Sequence, residues 1–257
     1  MLLDLDGDVG EMPIVLNEIL HKAPNLIEMM MVMQKCNNPE IFLAQNPKMG
    51  EDGMLLQLRK LILVEVSAIR SIQSENSSWL NTICEKVHEL HVFECPDVET
   101  IGVHSTSTMS FSFLKKVFAS DCPKLQYLFT SSVAKKLVNL KEIMVTECKC
   151  LKEIVSKEGD EHEQKGEGED EDENEMIFMN LEILTLISLD NFESFYTGSS
   201  TLNFPSLRRV RVDKCFSTKI FRRRDKVPPK FNVMIDEIRC KGDTKALIMQ
   251  QFEEEAS

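Results

Sequence analysis

Apolar and polar residues alternate along the chain in a pattern that recurs around a series of cysteines. Before Cys95, apolar residues stand eight, five and three positions away, and after it they stand three and six positions away. The same arrangement surrounds five other residues, and we call these six the repeat positions: Val66, Cys95, Cys122, Cys148, Leu189 and Cys215. A looser copy surrounds Cys36, with its leading Leu26 out of register. Other residues are given below by their offset from a repeat position.

The spacing of these positions predicts the fold. They are 26 to 29 residues apart, except for one interval of 41, and Cys36 lies 30 residues before Val66. The pattern L-x-x-L-x-L-x-x-N/C at such a period is typical of leucine-rich repeats. We predict an α/β leucine-rich-repeat solenoid of about seven repeats over residues 23–226. A curved parallel β-sheet would form its concave face, with loops and short helices on the convex face. Each strand would cover offsets −6 to −2, with −5 and −3 facing the core because side chains alternate along a strand.

Some return segments and both ends read as caps or helices. TSSVAKKLVNL offers Ser131 or Ser132 as a helix N-cap, NSSWLNTICEKV offers a similar serine, and MPIVLNEIL carries Pro13 in its first turn. Residues 1–22 are predicted to form an N-terminal helix or a partial repeat. Residues 227–257 are predicted to form a C-terminal tail or cap, in which KFNVMIDEI reads as a strand and DTKALIMQQFEEEA as a helix.

The cysteines indicate a structural role. Five of the eight, Cys36 included, occupy the repeat position, where a small side chain points into the solenoid. Disulfides are not expected, because equivalent positions form a row along the stack in a chain without a secretory leader. Cys148-x-Cys150 has no second pair at the spacing of a zinc finger. Cys84, Cys150 and Cys240 lie outside the row and receive no role.

One segment carries most of the net charge of −12. Residues 158–175 hold eleven acidic residues and one lysine, so the rest of the chain is nearly neutral. We predict a disordered acidic loop at 157–175, because the run is rich in Gly and Glu and lacks large apolar residues. Binding of calcium or of a basic partner stays open, although the ligand order of an EF-hand is absent. The basic cluster at 208–230 reads as a nuclear import signal, an anion patch or a solvated edge.

No arrangement of residues indicates an enzyme. HELH, which ends at His91, is one residue short of a zinc-protease pair and lies on a predicted strand, where its two imidazoles face different sides. There is no Gly-x-Ser-x-Gly elbow and no phosphate loop of the form G-x-x-x-x-G-K-[ST], so no cofactor is predicted. No apolar run of about 18 residues predicts a membrane span. The acidic N-terminal sequence lacks the features of a secretory leader, which favours a cytoplasmic protein.

Outward strand positions predict a binding surface on the concave face. The candidate partner-binding residues are Ile62, Val64, His91, Phe93, Phe118, Met144, Ile187, Arg209 and Arg211. Most of them are apolar, and contiguous exposed apolar surface usually marks an interaction site. Two alternatives are that the C-terminal tail covers this stripe, or that strand propensity alone explains it. Few aromatic residues are placed to stack on bases, so nucleic acid is not favoured as the partner.

Longer stretches resemble a known family. LVNLKEIMVTECKCLKEIV, an acidic spacer and FMNLEILTLISLDNFESFYTGSSTLNFPSLRRVRVDKCFSTKIF are similar to the leucine-rich-repeat region of plant intracellular disease resistance proteins. These are the receptors that join a coiled coil, a nucleotide-binding module and repeats. The likeness covers roughly residues 23–226 and includes CPKLQYLF and the YTG that precedes FPSL.

This resemblance implies a non-enzymatic protein-recognition module in plant immunity. It would sense a pathogen or host protein, or hold the receptor inactive by contacting its nucleotide-binding module. A full-length receptor would bind ADP or ATP in that module, which this sequence lacks together with the coiled coil, so a fragment or a repeat-only relative is expected. The alternative function is the substrate-recognition arm of an F-box-type ubiquitin ligase. The expected location is the cytoplasm, with the nucleus as a second compartment.

Overall fold

A computed structural model describes nine segments of the chain: residues 2–4, 28–32, 58–67, 69–73, 84–103, 111–157, 175–215, 220–228 and 231–235. Several predicted features lie outside the described residues. They are the helices in MPIVLNEIL and DTKALIMQQFEEEA, the start of the helix in NSSWLNTICEKV, the acidic loop over 158–174, Cys36 and Cys240.

The main sheet contains nine parallel strands, one from each successive repeat. In sheet order they are β1 (Leu2–Asp4), β2 (Glu28–Val32), β3 (Lys60–Val64), β5 (Glu89–Phe93), β7 (Lys116–Ser120), β9 (Glu142–Thr146), β12 (Ile183–Ile187), β15 (Arg209–Asp213) and β16 (Asn232–Ile235). The numbers follow the chain, and those missing here belong to two smaller sheets. This stacking of parallel strands confirms the predicted solenoid.

Six of these strands begin and end where the sequence predicts them, at offsets −6 to −2. Offsets −5 and −3, such as Leu90 and Val92 in β5, are fully buried, while the residues between them are half-buried or exposed. The buried rows form one continuous core, since each strand pairs with the next without a shift in register. No repeat encloses its own apolar residues, so each is stabilised by its neighbours.

The sequence register around Cys36 is wrong by two residues. β2 pairs with β3 so that Met30 lies beside Ile62, which makes Gln34 the residue equivalent to Val66. Leu26 then stands eight residues before the repeat position, as the pattern requires. The error arises because residues 29–33 are all apolar, and a shift of two preserves the side-chain alternation of a strand.

The return segments contain strands that the sequence did not predict. A second parallel sheet occupies offsets +5 to +8, in the order β13 (Ser194–Tyr196), β10 (Glu153–Ser156), β8 (Phe129–Thr130), β6 (Thr100–Gly102) and β4 (Ser71–Gln73). A two-stranded sheet joins β11 (Glu175–Ile177) to β14 (Thr201–Asn203). Extended backbone at the same offset of each repeat is in position to pair with its neighbour, and this pairing replaces helical hydrogen bonds.

The helix predicted in TSSVAKKLVNL is short. It is α1 (Ser131–Ala134), with Val133 and Ala134 buried. Its N-cap is Thr130, which has extended backbone at φ −73° and ψ 160°, rather than Ser131 or Ser132. No side chain donates or accepts a capping hydrogen bond there, so the helix depends on packing of its apolar side.

A left-handed residue ends each inner strand. The residue at offset −1 has φ between 52° and 55° in six repeats: Glu65, Glu94, Asp121, Glu147, Ser188 and Lys214. In five of these repeats its N–H donates to the carbonyl at offset −2 of the next repeat, as from Glu94 N to Ser120 O at 3.0 Å. The side chains at offsets −3 and 0 are both buried. On a regular strand, side chains three positions apart would lie on opposite faces. The left-handed turn resolves this by directing the repeat-position side chain into the core.

The main sheet extends beyond residues 23–226 at both ends. β1 pairs with β2, and β16 pairs with β15 with Val233 beside Val210. Val233 is half-buried whereas Val210 is buried, because β16 is the outermost described strand on its side. β11 begins at Glu175, the last residue of the predicted acidic loop. Within the described residues, no helix has the length and apolarity to cross a lipid bilayer.

Candidate protein-interaction face

The outward side of the main sheet, which we call the outer face, carries all nine candidate residues. Offset −4 contributes Ile62, His91, Phe118, Met144 and Arg211, offset −2 contributes Val64, Phe93 and Ile187, and offset −6 contributes Arg209. The sheet brings those on β3 to β9 together on neighbouring strands. Ile187, Arg209 and Arg211 lie further along, on β12 and β15. Whether these residues bind a partner stays a prediction.

Aromatic rings occupy the middle of the outer face. The imidazole of His91 lies 4.5 Å from the ring of Phe118 and 5.7 Å from that of Phe93, centroid to centroid. Neighbouring strands are only about 4.8 Å apart, so side chains of one row contact each other and are half-buried rather than exposed. A partner would therefore meet an ordered apolar surface, with little side-chain freedom left to lose on binding.

Charges alternate in sign along the offset −6 row of the outer face. This row reads Lys60, Glu89, Lys116 and Glu142 on four neighbouring strands. The ammonium of Lys116 lies 3.4 Å from a Glu89 carboxylate oxygen and 3.9 Å from one of Glu142. The row thus compensates its own charge and holds its side chains against the sheet.

Two further charged rows border the outer face over the same four strands. At offset −7, before each strand, stand Arg59, His88, Lys115 and Lys141. At offset −1, after each strand, stand Glu65, Glu94, Asp121 and Glu147. We call these rows the basic edge and the acidic edge. Partial burial lowers the pKa of His88, and the positive charges of Lys115 and Arg59 lower it further. The positive charge of the basic edge therefore disfavours protonation of the His88 imidazole.

Sequence reasoning missed a second apolar patch near the basic edge. Its members are the most exposed large apolar side chains of the inner repeats: Phe113, Val138, Ile177 and Met179. They occupy offsets −9 to −12, and Phe113 stacks on His88 at 6.1 Å between ring centroids. Aligning the repeats would have shown Phe113 at offset −9, where each of the other five repeats carries a polar residue.

The basic cluster at 208–230 is in part structural. Asp225, which is almost fully buried, accepts hydrogen bonds from the Arg222 guanidinium at 2.9 Å and from the backbone N–H of Leu202 at 3.0 Å. The same guanidinium donates to the carbonyls of Gly198 and Ser200 and lies over the Tyr196 ring, 5.2 Å from its centroid. Arg222 is therefore unavailable to an external anion and does not contribute to an anion patch.

This contact also explains the YTG sequence that precedes FPSL. Tyr196 is buried beneath Arg222, and a Cβ at Gly198 would lie 2.1 Å from the Tyr196 hydroxyl oxygen. Only glycine leaves room for the tyrosine there. Thr197 is fixed between them, since its hydroxyl donates to Glu153 at 2.8 Å.

The described cysteines of the row are buried, which confirms their predicted placement. Sγ of Cys95 donates to the Phe93 carbonyl at 3.3 Å, and Sγ of Cys215 donates to the Asp213 carbonyl at 3.4 Å. Burial raises the pKa of Cys215 to about 11. Cys84 occupies offset −11, the position of Phe111 in a later repeat, so it fills the core. None of these thiols forms a disulfide, and in the described part of the chain no three His, Cys, Asp or Glu residues are grouped to hold a metal ion.

The stacked strands, the repeated left-handed turns and the buried row of repeat positions define a leucine-rich-repeat solenoid. Residues 103–149 and 139–221 match the family described as "Plant disease resistance protein RPS2-like, leucine-rich repeats". This stretch is therefore similar to leucine-rich-repeat regions of the plant disease resistance type, which supports a recognition module of immune signalling. A comparison with curated proteins found no match.

Proposed function

We propose that the outer face binds a protein and thereby serves ligand sensing or autoinhibition in plant disease resistance signalling. The observation that carries this proposal is the ordered apolar surface around His91, Phe93 and Phe118, bordered by charge. Interface cores are enriched in aromatic residues and Met and depleted in charge, with a polar rim around them. The outer face has this arrangement over four neighbouring strands.

Two partners suit this proposal. One is a pathogen or host protein, and the other is the nucleotide-binding module of a receptor of this class, in which ADP or ATP would be bound. Leucine-rich-repeat solenoids typically act by protein contact rather than catalysis, and we propose the same for this chain. The family match supports the immune role over that of an F-box-type ligase. The proposed location is the cytoplasm, with the nucleus as a second compartment.

The test is co-precipitation with the nucleotide-binding module of a disease resistance protein whose repeats match the same family. Phe93→Glu combined with Phe118→Glu places two charges in the centre of the apolar surface. We expect this double variant to lose binding by about a hundredfold or more, since central aromatic residues cost about 2 kcal/mol or more each when removed from an interface.

Ile177→Glu combined with Met179→Glu is the matched control, because it places two charges on the exposed second patch instead. Both variants are checked for folding by circular dichroism. A folded Phe93/Phe118 variant that binds as well as the wild type would show that the outer face is not the site. Loss of binding only in the control variant would move the site to the second patch.

A further inference from the structure

We propose that the part of the outer face formed by β3, β5, β7 and β9 accepts an amphipathic α-helix that carries acidic residues on one flank and basic residues on the other. The helix would lie across the strands, with its apolar side on the aromatic surface. This inference rests on the proposed function and specifies the chemistry of the partner.

The first observation is that the two edges of the same four strands have opposite charge. Each of these strands is preceded by a basic or imidazole side chain of the basic edge and followed by a carboxylate of the acidic edge. Arg59 and Glu65, for example, flank β3, and Lys141 and Glu147 flank β9. The polarity runs along the strands, in the same direction in all four repeats.

The second observation is that this polarity ends at β9. In the next repeat the basic edge is occupied by Glu182, which pairs with Lys141 at 4.0 Å and Arg208 at 3.6 Å. The acidic edge continues as Ser188 and then Lys214. The surface with opposed edges is therefore limited to four strands and has a definite size.

The third observation is that charges between the edges are already compensated. The offset −6 row pairs internally through Lys116, and beyond the acidic edge Lys124 pairs with Asp97 at 2.7 Å. The net charge is positive in the row before the strands and negative in the row after them. A bound element with one sign of charge would be attracted by one edge and repelled by the other, which is why a split charge distribution is required.

The dimensions match one α-helix. Six residue steps from offset −7 to offset −1 span about 20 Å along a strand, and a helix with its side chains is about 10–12 Å wide, which leaves both edges within reach of long side chains. Four strands span about 14 Å across the sheet, or about ten residues of helix. A helix of three turns would cover the apolar surface from Ile62 to Met144.

The test uses synthetic helical peptides of about 12 residues, a length chosen from the helical rise. All share one apolar stripe, and their flanks are Glu and Lys (split), Glu on both sides, Lys on both sides, or Gln on both sides. Binding is measured by fluorescence polarisation at physiological salt. We expect the split peptide to bind about tenfold more tightly than any other, since each favourable rim pair contributes up to about 1 kcal/mol.

Charge reversal on the protein tests the same point. One variant carries Arg59→Glu, Lys115→Glu and Lys141→Glu, a second carries Glu65→Lys, Glu94→Lys, Asp121→Lys and Glu147→Lys, and a third carries all seven changes. Lysine is compatible with the left-handed offset −1 position, because Lys214 occupies it at φ 53°. Lys135→Glu with Lys152→Glu, two exposed lysines outside the edges, is the control.

Each single-edge variant should weaken binding of the split peptide about tenfold, by the same rim-pair magnitude. The seven-site variant should restore it, because both edges are then reversed along the whole surface and a helix rotated end to end exchanges its flanks. Equal binding of all four peptides, or a seven-site variant as weak as the single-edge ones, would overturn this inference and leave the proposed protein-binding function standing. Absence of binding by every peptide would also overturn it, while the co-precipitation described above judges the function separately.

Discussion

At the scale of single residues, the left-handed position before each repeat position carries a conformational cost. None of its six occupants is Gly or Asn, although left-handed backbone costs other residues roughly 1 kcal/mol or more. The cost is offset because the N–H of five of these residues joins the next strand, as from Glu147 N to Ile187 O at 3.0 Å. The position thus needs a residue that tolerates this conformation and retains its N–H.

Substitution at Glu147 tests this backbone constraint. Glu147→Val should destabilise the protein by about 1 kcal/mol or more, because a β-branched residue is strongly disfavoured at positive φ. Glu147→Asn should be at least as stable as the wild type. Glu142→Val is the control, since Glu142 has extended backbone at the start of β9, the strand that Glu147 follows. This control should change the free energy of unfolding by no more than about 0.5 kcal/mol. Urea unfolding gives these values, and equal effects of the two valines would contradict the constraint.

The cysteine row makes a second prediction at this scale. Cys95→Ala and Cys122→Ala should each lower the free energy of unfolding by about 1 kcal/mol, from lost packing and a lost hydrogen bond to a carbonyl. Partner binding should be unaffected. Cys150→Ala is the matched control, because that thiol is exposed at offset +2. A stoichiometric zinc ion or a Cys95–Cys122 disulfide in mass spectra of the purified protein would refute the structural role.

At the scale of elements, the ion pair of Arg222 and Asp225 joins three segments near the end of the solenoid. Asp225 accepts from Leu202 in β14, and Arg222 reaches the carbonyls between β13 and β14. Removing one partner of a buried pair leaves the other uncompensated and costs about 3 kcal/mol or more. We therefore expect Asp225→Ala to lower the urea midpoint strongly. Arg223→Ala, at an exposed neighbour, should leave it unchanged, and similar midpoints for both variants would exclude this role.

The acidic segment belongs to a different element, the connection between β10 and β11. Replacing residues 158–174 by a Gly/Ser linker of equal length should leave the melting temperature nearly unchanged, because long surface connections contribute little to stability. Glu175 must be kept, since its carboxylate lies 2.9 Å from the Lys226 ammonium and accepts from Asn203 at 3.2 Å. Extending the replacement through Glu175 is the comparison that should lower the melting temperature. A large loss with the shorter replacement would show that the acidic residues stabilise the fold.

At the scale of the whole molecule, sequence periodicity located the main sheet because its signal is repeated and local. Offsets −5 and −3 are apolar and buried in all six inner repeats, so each strand could be placed to the residue. The frame failed only around Cys36, where the apolar run at residues 29–33 permits a shift of two. The resemblance to disease resistance repeats was confirmed by the family match.

Other features depend on tertiary structure and had no sequence signal. The second sheet forms because equivalent return segments lie side by side. The serine N-caps in the sequence predicted helices that follow these strands, and gave no indication of the strands themselves. The role of Arg222 depends on Asp225 being buried near β14, which a basic run cannot indicate. The basic and acidic edges differ from these, because each occupies a single offset and is readable once the repeats are aligned. The half-burial of side chains on the outer face could not be predicted, because it depends on contacts between side chains of neighbouring strands.

The exact pairing of strands has a genetic consequence. Intervals between repeat positions vary in length, yet β9 and β12 pair without a shift across the interval of 41 residues. An unequal crossover within a return segment would therefore add or remove one whole strand together with its buried pair, its outward residues and one member of each charged edge. Every such recombination event lengthens or shortens the recognition surface by about 4.8 Å. One repeat is therefore both the unit that recombination exchanges and the unit of the proposed binding surface. A population can change this surface by whole repeats while the packing of the core is preserved.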